Sequence, residues 1–250
     1  MFHKLSIEWP CRLLISSFEL IIFFVFIVPG LEARMVIGPS VKDDPELVEA
    51  ISEDLRNLSG LRGLEFDEYS SLHSASEFDE GSPLFREFLL DVIADNRLVF
   101  VIENNPGSKL IRFAKTDAGT VDVETGIVEY VIELDAEDFR SCRKLSSREA
   151  LEAFSIGLVL FHEIDHKVSY DPNDPMPPSG VRPDVSEGEL RGVIERTNLI
   201  RNELKMALRD PGRHQGEIYR GSLPAFRSTA SISFTDQKGK RRLIRWKLDQ

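Results

Sequence analysis

The most informative stretch of the sequence is IGLVLFHEIDH, residues 156–166. The apolar run before the first histidine leaves almost no polar face, so the stretch predicts a buried helix. Ser146 and Glu149 have the spacing of a capping box at a helix start, and Pro172 excludes a helix that continues past it. We therefore expect one long buried helix over 146–169.

This stretch carries two histidines four positions apart, with a glutamate directly after the first. On a helix, positions i and i+4 share a face, so His162 and His166 can both reach one metal ion. Glu163 is rotated by about 100° from His162, beside the ion, where it can act as general base towards a water molecule. Zinc, one ion per chain, is the metal that this pattern favours. The alternative is a buried helix whose histidines bond to backbone groups and whose glutamate pairs with a cation.

A catalytic zinc site needs a third protein ligand. A second long helix is predicted over 186–210, and its acidic residues Glu189, Glu195 and Glu203 are the candidates. At about 100° per residue, Glu189 falls at the edge of the apolar face of that helix, and Glu195 falls on the opposite face. We expect Glu189 to be the ligand, with Glu195 as the alternative. Ser186 and Glu189 also have capping-box spacing, so Glu189 has a purely structural reading as well.

The remaining sequence alternates helical and strand patterns. Amphipathic helices are predicted over 43–58 and 83–96, strands over 98–103, 121–123 and 127–134, and a two-stranded tail over 227–248. Residues 59–82 and the proline-rich residues 171–186 are predicted to be loops. We expect an α+β fold of zincin-like type, in which a small antiparallel sheet packs beside two long metal-bearing helices.

Composition excludes several classes of protein. The chain has 250 residues, 42% of them hydrophobic and 29% charged, which suits one globular catalytic domain. A formal net charge of -11 repels phosphate backbones, so we expect no nucleic-acid partner. Cys11 and Cys142 are the two cysteines of the chain. They allow neither a disulfide framework in a mature domain nor a cysteine-type zinc site.

Residues 1–34 differ from the rest of the chain. The apolar run LIIFFVFIV, residues 20–28, is shorter than the roughly 20 residues that span a bilayer. Its length favours a signal peptide or an anchor, and this leader is the one segment expected to meet a membrane. The alternative is that translation begins at Met35. Either reading places the catalytic domain at 35–250.

The sequence after HEIDH is similar to a known family. A proline-rich loop, then ELRGVIERTNLIRNEL at 189–204, then Tyr219, resembles the effector-type zinc metallopeptidases of plant and animal pathogens (NleD-like). The similarity is best over 150–220. The resemblance implies that Glu163 is the base and Glu189 the third ligand. It also suggests Tyr219 or Arg213 as an oxyanion donor, although the family's Gly-Leu-Pro-x-Arg-x-x-Tyr segment is replaced here by KMALRDPGR.

The resemblance further implies a biological role. Such a protein is a secreted or translocated endopeptidase that cleaves a protein of the host cell, and a host signalling kinase is the substrate that the best-known members suggest. Two alternatives stay open. One is a toxin-associated peptidase domain that acts on a bacterial competitor, and the other is a catalytically inactive binding module that keeps the fold.

Overall fold

The protein is an α+β molecule in which helices and strands form several packed layers. The computed structural model describes residues 35–74, 77–108, 112–168, 187–211, 217–219 and 229–247, and for 187–191 and 217–219 it describes the backbone alone. The leader 1–34, the loop 171–186 and Arg213 lie outside the described residues. Among the described helices, none combines the length and the apolar character needed to cross a bilayer.

The elements follow one another in a mixed order. The helices are α1 Pro39–Lys42, α2 Pro45–Ser59, α3 Pro83–Ala94, α4 Ala136–Cys142, α5 Arg148–Glu152, α6 Ile156–Val168 and α7 Glu187–Glu203. The strands are β1 Met35–Ile37, β2 Glu65–Phe66, β3 Leu72–His73, β4 Leu98–Asn104, β5 Ala114–Thr116, β6 Thr120–Val121, β7 Val128–Leu134, β8 Leu208–Arg209, β9 Glu217–Tyr219, β10 Thr229–Thr235 and β11 Arg241–Lys247.

The larger sheet is mixed, which corrects the expectation of an antiparallel sheet. Its order is β1-β4-β7-β5, with β6 also paired to β7. Strands β1, β4 and β7 run parallel, whereas β5 and β6 are antiparallel to β7. Parallel pairing needs a long crossover connection, and α2 and α3 supply one between β1 and β4.

The smaller sheet is antiparallel and is built on the C-terminal hairpin that the sequence predicts. Strands β10 and β11 pair along their full length around a turn at Asp236–Lys240, and β8 and β9 pair with β10. The predicted helices 43–58 and 83–96 are confirmed as α2 and α3. Gly60 ends α2 in the left-handed conformation, with φ +76°, as its position just past the helix predicts.

The prediction of a single helix over 146–169 is wrong. Two separate helices form instead, because the helical conformation is interrupted between the end of α5 and the start of α6. The carbonyl of Ala153 accepts a hydrogen bond from Arg201 Nε at 2.8 Å, and the Phe154 side chain is buried. The Ser146–Glu149 capping box is also absent. Ser146 Oγ instead accepts from the backbone N–H of Arg245 at 2.8 Å, so tertiary contacts override the local pattern.

The start of α6 is held by α2. Asp54 Oδ2 accepts the backbone N–H of Gly157 at 2.5 Å. A Cβ added at Gly157 would lie 2.7 Å from Leu58 Cδ1 and 3.0 Å from Asp54 Oδ2, so a larger residue here would displace these side chains of α2. The histidine-bearing helix therefore begins at a site fixed by another element.

The second predicted helix, 186–210, ends earlier than expected. Helix α7 stops at Glu203, Lys205 adopts φ +56°, and Leu208 and Arg209 enter β8. The apolar Ala207 keeps helical spacing but packs in a different hydrophobic cluster from Ile200 of α7. Helical spacing of apolar residues alone does not distinguish a residue inside the helix from a residue that follows its end.

The described part of the chain has two hydrophobic clusters, and α6 contributes to both. The first joins α2, α3 and the parallel strands to Leu158, Leu160, Phe161 and Ile164 of α6. The second is rich in aromatic side chains and includes Val159 of α6. Helix α6 also packs against α2, α7 and β5. The sequence prediction that this helix is buried is therefore confirmed.

Candidate metal centre

The two histidines of α6 converge at their Nε2 atoms. Their Nε2 atoms lie 3.3 Å apart, and the two rings are inclined by 84°. His162 is buried, with 7% of its surface exposed, whereas His166 is partly buried. The helix therefore directs two imidazole nitrogens towards one point, as the i, i+4 spacing predicts.

This separation fits a shared zinc ion. Two nitrogens at about 2.05 Å from one zinc, at the tetrahedral angle, lie about 3.3 Å apart. The rings of His162 and His166 have that spacing, and imidazole nitrogen is a preferred zinc ligand. The donor set on α6 is therefore compatible with the metal that the sequence predicts.

The structure does not by itself identify a third ligand for a metal at these histidines. Within the described ranges, no group of three or more His, Cys, Asp or Glu side chains comes together. Glu189 lies in the first turn of α7, where the backbone alone is described. Its position shares a helical face with Val193 and Arg196, at i+4 and i+7. Arg196 Nε donates to Asp165 Oδ2 on α6 at 2.7 Å, so this face of α7 is directed towards the histidine helix.

The two other glutamate candidates lie differently. Glu195 is an exposed residue of α7. Glu203 Oε2 accepts the hydroxyl of Ser82 at 2.5 Å and the backbone N–H of Leu84 at 3.2 Å, so its carboxylate caps the start of α3. The role of Glu203 is therefore helix capping, which removes it from the ligand candidates.

Glu163 is held against the edge strand of the larger sheet. Its Oε2 accepts the backbone N–H of Thr116 at 3.1 Å and the hydroxyl of Thr116 at 2.9 Å. Burial raises the pKa of the Glu163 carboxyl, while the Thr116 hydrogen bonds and the charges of Lys167 and Arg209 oppose that rise. A raised pKa makes the carboxylate a stronger base, as a proton acceptor requires.

Two cations lie near this carboxylate, and the sequence patterns did not single out either. Lys167 Nζ donates to the carbonyl of Asp117 at 2.7 Å and lies 5.1 Å from the centre of the Tyr130 ring. Arg209 is 6% exposed, and burial lowers its pKa to about 10, against the opposing effect of Glu163. Arg209 therefore stays protonated at neutral pH, and the charges of both side chains act on the Glu163 carboxyl.

Arg209 reaches this position because α7 holds strand β8. The Asn198 side chain donates from Nδ2 to the Arg209 carbonyl at 2.7 Å and accepts the Arg209 N–H at Oδ1 at 2.8 Å. Arg201 Nη1 donates to the same Oδ1 at 3.1 Å, and burial lowers the pKa of Arg201 to about 9. The sequence prediction put Arg209 inside a helix over 186–210, so it missed this arrangement.

Two further residues that the sequence singles out are Tyr219 and Cys142. Tyr219, the weaker catalytic candidate, lies in β9 opposite Thr229, and its side chain is not described. Cys142 is a buried free thiol in the second cluster, and burial raises its pKa to about 11. A protonated thiol is a poor metal ligand, which agrees with its exclusion from the candidate ligands.

Comparisons with known proteins give no match: no protein-family model, no curated protein and no solved structure matches this chain. The function is therefore argued from the residues of the site and from their geometry.

Proposed function

We propose that this protein is a zinc-dependent endopeptidase in which His162 and His166 bind the metal and Glu163 is the general base. The observation that carries the proposal is the 3.3 Å separation of the two Nε2 atoms on a helix that also presents Glu163. Glu189 is proposed as the third ligand, and Glu195 is the alternative. When bound, zinc supplies a Lewis acid that polarises a carbonyl and lowers the pKa of a nearby water.

The chemistry assigned to the chain itself is proton transfer. Glu163 accepts a proton from the attacking water, whose oxygen forms a bond to the carbonyl carbon of the substrate. The same carboxyl then delivers that proton to the amide nitrogen as the C–N bond breaks. The second proton of the water also passes to the amine, so the products at neutral pH are a carboxylate and an ammonium group, and one water molecule is consumed for each peptide bond.

The layout around α6 supports a zincin-like arrangement. Strand β5 lies at one end of the strand order of the larger sheet, and α6 packs against β5. Tyr219 is retained as a weaker proposal for an oxyanion donor.

The proposed biological setting follows from the family resemblance. We infer a secreted or translocated effector that cleaves a host protein, with a signalling kinase as the substrate class to test first. The same chemistry against a bacterial competitor is the second candidate. Glu163 favours both over an inactive binding module, because its two hydrogen bonds to Thr116 hold a base that such a module does not need.

The test compares the zinc-loaded full chain with Glu163→Gln on proteins of a whole-cell lysate. New protein N-termini are labelled and identified by mass spectrometry, first in native lysate and then in denatured lysate. We expect the wild-type chain to release new N-termini at a restricted set of sequences, and a chelator to stop this. Glu163→Gln should retain zinc and lose the cleavage, because the amide cannot accept the proton from water.

The variant Glu87→Gln is a control for loss of a carboxylate on an exposed part of α3, away from the proposed site. If Glu163→Gln cleaves as fast as the wild type, the base is wrongly assigned. A wild-type chain that binds zinc and releases no new N-termini contradicts the peptidase assignment and favours the binding module.

A further inference from the structure

The contact between Thr116 and Glu163 joins two elements that are distant in sequence. Thr116 is the last residue of β5, and Glu163 lies in the middle of α6. Both polar donors of Thr116, its backbone N–H and its hydroxyl, bond to the single oxygen Oε2 of Glu163, at 3.1 and 2.9 Å. Two donors from one residue restrict both the position and the rotation of the carboxylate.

The other carboxylate oxygen is differently placed. Among the residues that the structure describes, no hydrogen bond reaches Oε1 of Glu163. A carboxylate with one oxygen occupied by two donors keeps the lone pairs of the other oxygen for a proton. The arrangement therefore divides the carboxylate of Glu163 into an anchored oxygen and a basic oxygen.

Thr116 is itself fixed from two sides. Its strand pairs with β7, where Thr116 lies opposite Ile132, and the next residue, Asp117, donates its N–H to the Val131 carbonyl at 3.0 Å. From the other side, Lys167 of α6 donates to the Asp117 carbonyl at 2.7 Å. Lys167 lies one turn after Glu163, so α6 holds the end of β5 at two successive turns.

From this geometry we infer that Thr116 is a positioning residue for the catalytic base, and that its hydroxyl holds the Glu163 carboxylate in the orientation that receives the proton. The inference rests on the proposed peptidase function. It assigns to the edge strand a role in catalysis that is separate from any pairing with substrate. Thr116 acts through Glu163 and does not itself touch the reacting atoms.

The test uses two substitutions of the full, zinc-loaded chain. Thr116→Val keeps the shape and the backbone N–H and removes the hydroxyl, whereas Thr116→Ser keeps both donors. The kinetics are measured on a synthetic peptide that spans the bond cleaved most efficiently in the lysate experiment. Zinc content and thermal unfolding are measured on the same samples. Thr120→Val, at an exposed threonine of β6 in the same sheet, is the matched control.

We expect Thr116→Val to lower kcat by roughly 10- to 100-fold, the range seen when an outer-shell partner of a site is removed. KM and zinc content should stay close to those of the wild type, because the hydroxyl contacts neither substrate nor metal. Thr116→Ser should recover kcat to within about threefold, and Thr120→Val should behave as wild type.

Three results would overturn the inference while leaving the peptidase assignment in place. They are an unchanged kcat in Thr116→Val, a loss of zinc or of folding that accounts for the lower rate, and a Thr116→Ser variant as slow as Thr116→Val. If the wild-type chain cleaves nothing, the proposed function fails, and the role of Thr116 fails with it.

Discussion

Among single residues, Glu163 carries a carboxylate that would be costly to bury without partners. Glu163 is flanked by Lys167 and Arg209, and Thr116 supplies two hydrogen bonds to its carboxylate. Desolvation of a lone carboxylate would favour its neutral form, and these neighbours oppose that effect. These contacts offset part of the cost of burying the Glu163 carboxylate.

The third ligand is tested by separate substitution of two glutamates on one helix. Glu189→Gln should weaken zinc binding by at least about tenfold, because a neutral amide replaces a charged oxygen ligand. Glu195→Gln should leave the zinc affinity unchanged, since Glu195 is exposed. The affinities are measured by competition with a chromogenic chelator. A loss in Glu195→Gln alone would exchange the two assignments.

The sequence predicts the local part of the site and misses its long-range part. His162, Glu163 and His166 lie within five positions, so helical geometry alone brings their side chains together. The contact of Thr116 with Glu163 spans 47 positions and has no periodic signal. The sequence places Arg209 in a helix that in fact ends before it, so its position beside Glu163 could not be anticipated.

At the scale of elements, the position of α6 depends on contacts at its first turn. Asp54 of α2 accepts the N–H of Gly157 at 2.5 Å and also bonds to Ser155. Burial raises the pKa of Asp54, the nearby charge of Glu53 adds to that rise, and the two hydrogen bonds oppose it. The folded state therefore favours the protonated carboxyl relative to the unfolded chain.

This raised pKa predicts a pH-dependent cost to stability. As the pH increases from about 3.8 through the raised pKa, the unfolded chain ionises Asp54 before the folded chain does, so wild-type stability decreases. Asp54→Asn lacks this titration and keeps an oxygen that can accept the Gly157 N–H. The wild type should thus become less stable relative to Asp54→Asn as the pH rises through that interval.

The measurement is the free energy of unfolding from urea titrations at several pH values. Glu53→Gln, at the exposed neighbouring position, is the matched control and should show a much smaller change. A stability difference between the wild type and Asp54→Asn that is constant with pH, or that has the opposite sign of slope, would contradict the burial of this charge.

Element boundaries were predicted well where they depend on local signals. Pro45 and Gly60 delimit the predicted helix that becomes α2, and a turn at 236–240 separates the two strands of the predicted C-terminal tail. The interruption between α5 and α6 could not be predicted from local sequence, because it involves a tertiary contact. The buried Arg201 of α7 donates a hydrogen bond to the Ala153 carbonyl. The parallel pairing of β1, β4 and β7 was missed for a similar reason, since strand composition does not specify direction.

At the scale of the whole molecule, α6 lies where two hydrophobic clusters meet. Leu158 and Phe161 belong to the cluster around α2 and the parallel strands, whereas Val159 belongs to the aromatic cluster beside the smaller sheet. Helix α7 packs on the same helix. A metal bound by α6 and α7 would therefore join elements from both parts of the core, and it would stabilise the folded chain by binding to it preferentially.

We propose above that α6 binds a zinc ion through its two histidines. The most direct measurement is the zinc content of the full-length chain. The protein is dialysed against zinc-containing buffer and then against metal-free buffer, and its zinc is quantified by inductively coupled plasma mass spectrometry. Circular dichroism of each sample establishes whether the chain is folded. His73→Ala, at a histidine that pairs with Asp67 on the β2–β3 hairpin, is the control.

We expect about one zinc ion per wild-type chain and per His73→Ala chain, and almost none in His162→Ala or His166→Ala. Zinc should also raise the unfolding temperature of the wild type and have no such effect in the two variants of α6. A folded wild-type chain that retains no zinc, or a His162→Ala variant that retains it fully, would contradict the account.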